Sequence, residues 1–171
     1  MKVNRRKRLT IGIVVVLVTL VTFRIYYVNK IEYTDTVLTQ KKIGQTVNDE
    51  SVNITVQSVD FYDRKRLKSN YKVGDEEDSH IIVTCRFSNK SDREQWMNLS
   101  KVTLEIGTES GGCMNPYVFQ TLNGRCTSDL ILSPGESRIV YMPYPMEKEE
   151  MKEKIYAVFS LYPEKIRISL N

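Results

Sequence analysis

Residues 9–28, LTIGIVVVLVTLVTFRIYYV, are a run of twenty with one charge, Arg24. No other stretch of this 171-residue chain limits its fold so tightly. As a helix rising about 1.5 Å per residue, the run reaches about 30 Å, the thickness of a bilayer's hydrocarbon core. Val and Ile are mediocre helix formers in water, but in lipid one segment satisfies its own backbone only as a helix. Arg24 lies close enough to the end to snorkel to the headgroups, and Tyr26 and Tyr27 suit an interfacial aromatic belt. The run predicts a single transmembrane signal-anchor α-helix over 9–28, with the lipid bilayer as its partner.

Flanking charge orients it. Lys2, Arg5, Arg6, Lys7 and Arg8 precede the run, whereas Lys30 is followed by Glu32 and Asp35. The positive-inside rule makes 1–8 a cytoplasmic basic tail and places residues 31–171 outside the cell membrane. A cleaved signal peptide would share the basic start, but it needs small side chains after the apolar run, and residues 22–28 are bulky. The basic excess also belongs to this end. Seven of the 25 basic groups lie in residues 1–30 with no acid, so 18 basic groups meet 21 acidic ones beyond, a net −3. A body without positive excess argues against nucleic acid as a partner.

Residues 29–50 are mixed polar and read as a stalk leading into the domain; 51–171 alternate with a period of two, the signature of half-buried strands. Val52, Ile54 and Val56 share one face, and Val59 and Phe61 continue in the opposite phase, which predicts a β-bulge near Gln57–Ser58. Ile81, Val83, Cys85 and Phe87 mark a second strand, and Val102, Leu104 and Ile106 a third. Tyr117–Leu122 and Asp129–Leu132 read as short strands, and Ser137–Met142 as a strand after a Pro134-Gly135 turn. Ile155, Ala157, Phe159 and Leu161, then Ile166, Ile168 and Leu170, close the chain around a turn at Tyr162–Lys165. Met146–Lys154, rich in Glu and Lys, reads as a short surface helix or helical turn between strands. No internal repeat or βαβ rhythm is present. The predicted fold is all-β, an antiparallel β-sandwich over 51–171 preceded by one transmembrane helix.

The strand Ile81–Asn89 with its following Lys90-Ser91, the turn Leu132-Ser133-Pro134-Gly135-Glu136-Ser137, and the early Gly44 carry a resemblance. Over about residues 43–171 the chain resembles the immunoglobulin-like, telokin-like extracytoplasmic domains of unknown function found on membrane anchors or lipoproteins of Gram-positive bacteria. It departs from the lipoproteins in lacking a lipid-attachment Cys after the span. The resemblance implies an immunoglobulin-like sandwich at the cell envelope. It implies no catalytic residue and no cofactor.

Candidate chemistry is sparse. Cys85 falls on the apolar face of its strand and reads as a small buried hydrophobe. Cys113 and Cys126 lie in turn-rich sequence, where outside the cell they either pair as a disulfide, worth about 3 kcal/mol for a loop of this size, or stay as thiols. Asp75, Glu77 and Asp78 with His80 offer donors for a cation, although the spacing is not that of an EF-hand; the other reading is a solvated loop balanced by nearby Arg and Lys. The single His leaves a nucleophilic triad without support, and no Gly-x-Ser-x-Gly elbow or phosphate-binding Gly loop is present. Three Asn-x-Ser/Thr triplets, at Asn53, Asn89 and Asn98, read as strand-end composition. Tyr117, Tyr141, Tyr144, Tyr156 and Tyr162 divide between core and surface. Trp96, in the polar run Arg93–Asn98, is the candidate exposed binding anchor.

These features point to a non-catalytic protein-interaction or accessory module at the bacterial cell envelope, with an unknown envelope protein as partner. A cation or ligand sensor built on the Asp75–His80 loop is the alternative, followed by a toxin-immunity protein or an unrecognised hydrolase.

Overall fold

Strict alternation forces one side of each strand into a common interior, and the computed structural model shows how the interior closes. The structure describes residues 15–26, 37–49, 51–71, 79–124, 127–160 and 164–171. Residues 1–36 and 37–171 form separate units. In the first, α1 spans residues 15–26, and its Val, Leu, Ile and Phe side chains are more than half exposed. Thr19 and Thr22 donate their hydroxyls to the carbonyls of Val15 and Val18, at 2.9 and 2.8 Å, so the helix has turned these polar groups onto its own backbone. Among the described residues no helix is long and apolar enough to cross a membrane. Of the span expected over 9–28, the described part is the helix 15–26, about 18 Å long.

The second unit is a β-sandwich. One sheet has the order β1-β11-β10-β6-β7, with β1 Val37–Lys42, β6 Thr103–Ile106, β7 Glu109–Gly112, β10 Ile155–Ser160 and β11 Glu164–Ser169. The other has the order β2-β3-β4-β9, with β2 Thr46–Asp49, β3 Val52–Tyr62, β4 His80–Asn89 and β9 Ser137–Pro145. A separate two-stranded ribbon pairs β5 Gln95–Asn98 with β8 Asp129–Leu132. All described pairings are antiparallel except β1 with β11.

Ile54, Val56, Val83, Cys85, Phe87 and Met142 from one sheet meet Leu104, Ile155, Ala157, Phe159, Ile166 and Ile168 from the other in one core. Phe87 and Phe159 touch edge to face, with centroids 6.3 Å apart. The expected bulge is present: the β3–β4 register shifts between Val56 and Ser58. The extra residue returns Val59 to the inner side, against the core.

Three sequence expectations change. Residues 37–49, expected as stalk, supply β1 and β2, and Val47 is buried in the core. The non-local partner of β1 is the last strand of the chain, which local composition cannot reveal. Tyr117–Leu122, expected as a strand, lies in the helix α3, Pro116–Asn123. Asn115 caps it, accepting from the amides of Tyr117 and Val118, Pro116 occupies the first turn, and Gly124 ends it at φ 61°. Met146–Lys154 takes the shorter of its two expected forms, a single 3-10 turn at Glu150–Lys152. An additional helix, α2, covers Arg64–Tyr71.

α2 and α3 give the outer face of the second sheet its own small core, where Leu67 and Val118 cover Tyr62 and Ile82. β4 is therefore buried on both faces over its first half.

Candidate functional site

The exposed apolar surface singled out by Trp96 is built on the β5–β8 ribbon. The register pairs Trp96 with Ile131 and Met97 with Leu130. Leu130 and Leu132 are buried and Met97 lies against the core, so that side of the ribbon faces the interior. The opposite side presents Trp96, 59% exposed, beside Ile131, 45% exposed. Two large apolar side chains held side by side in water lose the stabilisation that burial would bring, about 25 cal/mol per Å². Scattered exposed hydrophobics are ordinary, whereas a paired Trp and Ile form a small patch.

Asparagines hold the ribbon in place. Asn89 is buried at the end of β4. Its Nδ2 donates to the carbonyls of Arg93, Leu132 and Ser133 at 2.7, 3.0 and 3.1 Å. Its Oδ1 accepts from the Ser91 amide and hydroxyl at 2.9 and 2.8 Å. One side chain thereby joins the main sheet, the approach to β5 and the end of β8. Asn98 repeats the local part of the device: its Oδ1 accepts from the amide and hydroxyl of Ser100 at 2.9 and 2.5 Å, opening the turn that buries Leu99. The triplets at Asn89 and Asn98 are thus Asx turns, with Ser at the third position as the second donor. On the other side the Ser133–Glu136 turn closes through Glu136 N to Ser133 O at 3.0 Å, with Gly135 at φ 74° after Pro134. That is the geometry a Pro-Gly pair favours.

A groove of about 180 Å³ runs beside the ribbon. All four residues of β5 border it, with Asp49 and Val52 from β2 and β3, Lys101 and Val102 after β5, and Phe159 from β10. Its wall mixes apolar side chains with one carboxylate, one ammonium and the amides of Gln95 and Asn98. The sequence identified Trp96 as a single exposed aromatic. The rest of the groove comes from distant parts of the chain, and no local pattern marks it.

The other candidate residues lie elsewhere. His80 is fully buried at the start of β4, opposite Tyr62 and Pro145, so its imidazole belongs to the interior rather than to a solvated loop. Asp75, Glu77 and Asp78 lie outside the described residues. Among the described residues no group of three or more potential metal ligands converges. Cys85 is buried, and burial pushes its thiol pKa far up, in keeping with a hydrophobic role. Cys113 is an exposed free thiol, and its expected partner Cys126 lies outside the described residues.

The tyrosines divide. Tyr144 is buried, donates to the Val102 carbonyl at 3.1 Å, and has its pKa pushed up by burial. Tyr117 and Tyr141 are exposed, and Tyr156 carries the Arg167 guanidinium 4.3 Å above its ring. Tyr162 lies outside the described residues. Arg167, with Lys165, also holds the Glu105 carboxylate on the outer face of the first sheet.

No family model and no curated protein matches this sequence. Solved structures do match. The yjhA protein from Bacillus subtilis superposes with a TM-score of 0.58 at 15% identity, covering 77% of this chain and 99% of that one. An uncharacterised β-sandwich protein from Clostridium difficile gives 0.50 at 14% identity, covering 81% and 97%. A conserved hypothetical protein from Bacillus anthracis gives 0.50 at 17% identity, covering 69% and 88%. At such identities the likeness shows the fold alone. The chain has a β-sandwich of a kind found in uncharacterised proteins of Gram-positive bacteria.

Proposed function

We propose that this chain is a non-catalytic recognition module of the immunoglobulin-like kind, held by a single-pass anchor over 9–28 and turned to the outside of the cell membrane. It binds an envelope protein through the ribbon surface at Trp96. The observation that carries the reading is the exposed Trp96–Ile131 pair beside the groove. Exposed aromatic anchors of this type dominate binding energy at protein interfaces. The α1 helix supports the anchor: its Val, Leu, Ile and Phe side chains stand exposed around it, Arg24 is its one charge, and its threonine hydroxyls bond the helix backbone. Five basic residues before the span support the orientation. Tethering confines both partners to one surface, so a contact of modest affinity is sufficient there.

Two measurements test this. A maleimide that cannot cross membranes, applied to intact cells making the full chain with Cys126→Ser, labels exposed Cys113 if the domain is outside; labelling only after lysis overturns the sidedness. A photo-cross-linking residue at position 96 yields one discrete envelope adduct that a cross-linker at exposed Ser69 does not. The same products from both positions overturn the assignment of the surface.

A further inference from the structure

We infer that the β5 edge is the recognition element itself, and that its occupant is an extended segment of the partner protein added as a third strand to the β5–β8 ribbon. The inference rests on the reading that the ribbon is the binding surface.

Successive residues of a strand point to opposite faces. A strand that lends only one face to a cavity contributes every second residue. Gln95, Trp96, Met97 and Asn98 all border the groove. What β5 presents to the groove is therefore its edge, with the backbone exposed between the side chains. Among the described residues β5 pairs with β8 alone.

The register says which backbone groups face out. Leu99 N donates to Ser128 O at 3.0 Å, one residue beyond the pairing of Asn98 with Asp129. In an antiparallel ladder, hydrogen-bonded and non-hydrogen-bonded pairs alternate. The pairs at Met97–Leu130 and Gln95–Leu132 are then bonded across the ribbon. The N–H and C=O of Trp96 and Asn98 point away from β8, toward the groove. Two donors and two acceptors, alternating along a strand with a repeat of about 6.8 Å, match the backbone of another extended chain and little else. A strand laid there sets an apolar side chain against Val52, Val102 and Phe159, within the groove of about 180 Å³. Lys101 provides a positive charge for a flanking residue.

The other strand edge near an exposed aromatic is closed. On β9, Asn123 of α3 bonds both backbone groups of Tyr141 and the Asn115 amide donates to the Pro143 carbonyl, so the edge beside that aromatic is occupied.

The probe is a library of random peptides of about nine residues, displayed on phage and panned against the full chain in detergent micelles. Selected peptides are then titrated against the wild type, Trp96→Ala and Trp96→Pro. Alanine removes the indole and keeps the outward N–H. Proline removes both, and its ring sits on the side where the β8 ladder makes no bond. Strand addition predicts selected peptides with one large apolar residue, binding about tenfold weaker to Trp96→Pro than to Trp96→Ala, and loss of binding when alternate peptide amides are N-methylated. Should Trp96→Pro fail to fold, the N-methyl series alone decides. Equal binding to the two variants, or no effect of N-methylation, overturns the inference; so does failure to select any peptide. A dimer in light scattering that Trp96→Pro dissolves also overturns it, since the edge then belongs to a second copy. A discrete adduct from position 96 in cells together with equal binding to the two variants leaves the recognition surface standing and removes only the strand-addition mode.

Discussion

The β9 and β5 edges meet the same physical problem in opposite ways. An edge strand exposes unpaired backbone groups, and an uncovered one invites association. β9 is nine residues long, and α3 lies against it as a stopper. Asn123 at the end of that helix accepts the Tyr141 amide on Oδ1 at 3.0 Å and donates Nδ2 to its carbonyl at 2.8 Å. Asn115, at the start, donates its amide to the Pro143 carbonyl at 2.9 Å. β5 is four residues long, borders a groove and has an exposed Trp at its centre. A long edge is the larger aggregation hazard and is covered. A short one, fixed at both ends by asparagines, can stay open without unravelling.

The comparison breaks most severely at Asn89. Asn89→Ala strands three carbonyls between β4, β5 and β8, and is expected to cost about 3 kcal/mol in urea unfolding. The ribbon amides are expected to lose exchange protection before those of β3 and β4. A loss under 1 kcal/mol would mean that the ribbon is held by its buried leucines instead. Asn123→Ala comes next. It uncovers Tyr141 at the β9 edge, should cost about 1–2 kcal/mol, and should make the protein associate at concentrations where the wild type stays unchanged in light scattering.

Alkaline pH sharpens the comparison on the helix-covered side. Burial, with the Tyr62 hydroxyl 3.2 Å away, pushes the Tyr71 pKa up from 10.0 to about 12. A phenol whose pKa is higher folded than unfolded keeps its full contribution below about pH 10 and loses it as pH rises toward 12. Stability followed by circular dichroism should therefore fall across that window, and Tyr71→Phe should flatten the fall. The smallest effect belongs to the open edge. Trp96→Ala removes a mostly exposed side chain and should change stability by no more than about 0.5 kcal/mol, while abolishing the adduct formed by a cross-linker placed at neighbouring Ile131.

How much of this was legible in the sequence follows from the range of each interaction. The bulge at Gln57 shows as a phase slip between Val56 and Val59, because period two is local. The Pro134-Gly135 turn and the exposure of Trp96 were readable for the same reason. The helix α3 was hidden behind its apolar composition, although Asn115-Pro116 is a cap followed by a first-turn proline, and Val118 and Leu122 stand one helical turn apart. Residues 37–49 read as a stalk because β1 is polar and gains its place only through β11 at the far end of the chain. The groove has no sequence signature at all: Asp49, Lys101 and Phe159 come together only when the sheets close.

Amide hydrogen exchange of the free protein tests the contrast between the edges most directly. The expectation is that the Tyr141 amide, held by Asn123, is strongly protected, whereas the Trp96 amide, pointing into the groove, exchanges almost as fast as in an unfolded chain. Comparable protection at the two sites would show that the β5 edge is already closed, and would contradict it.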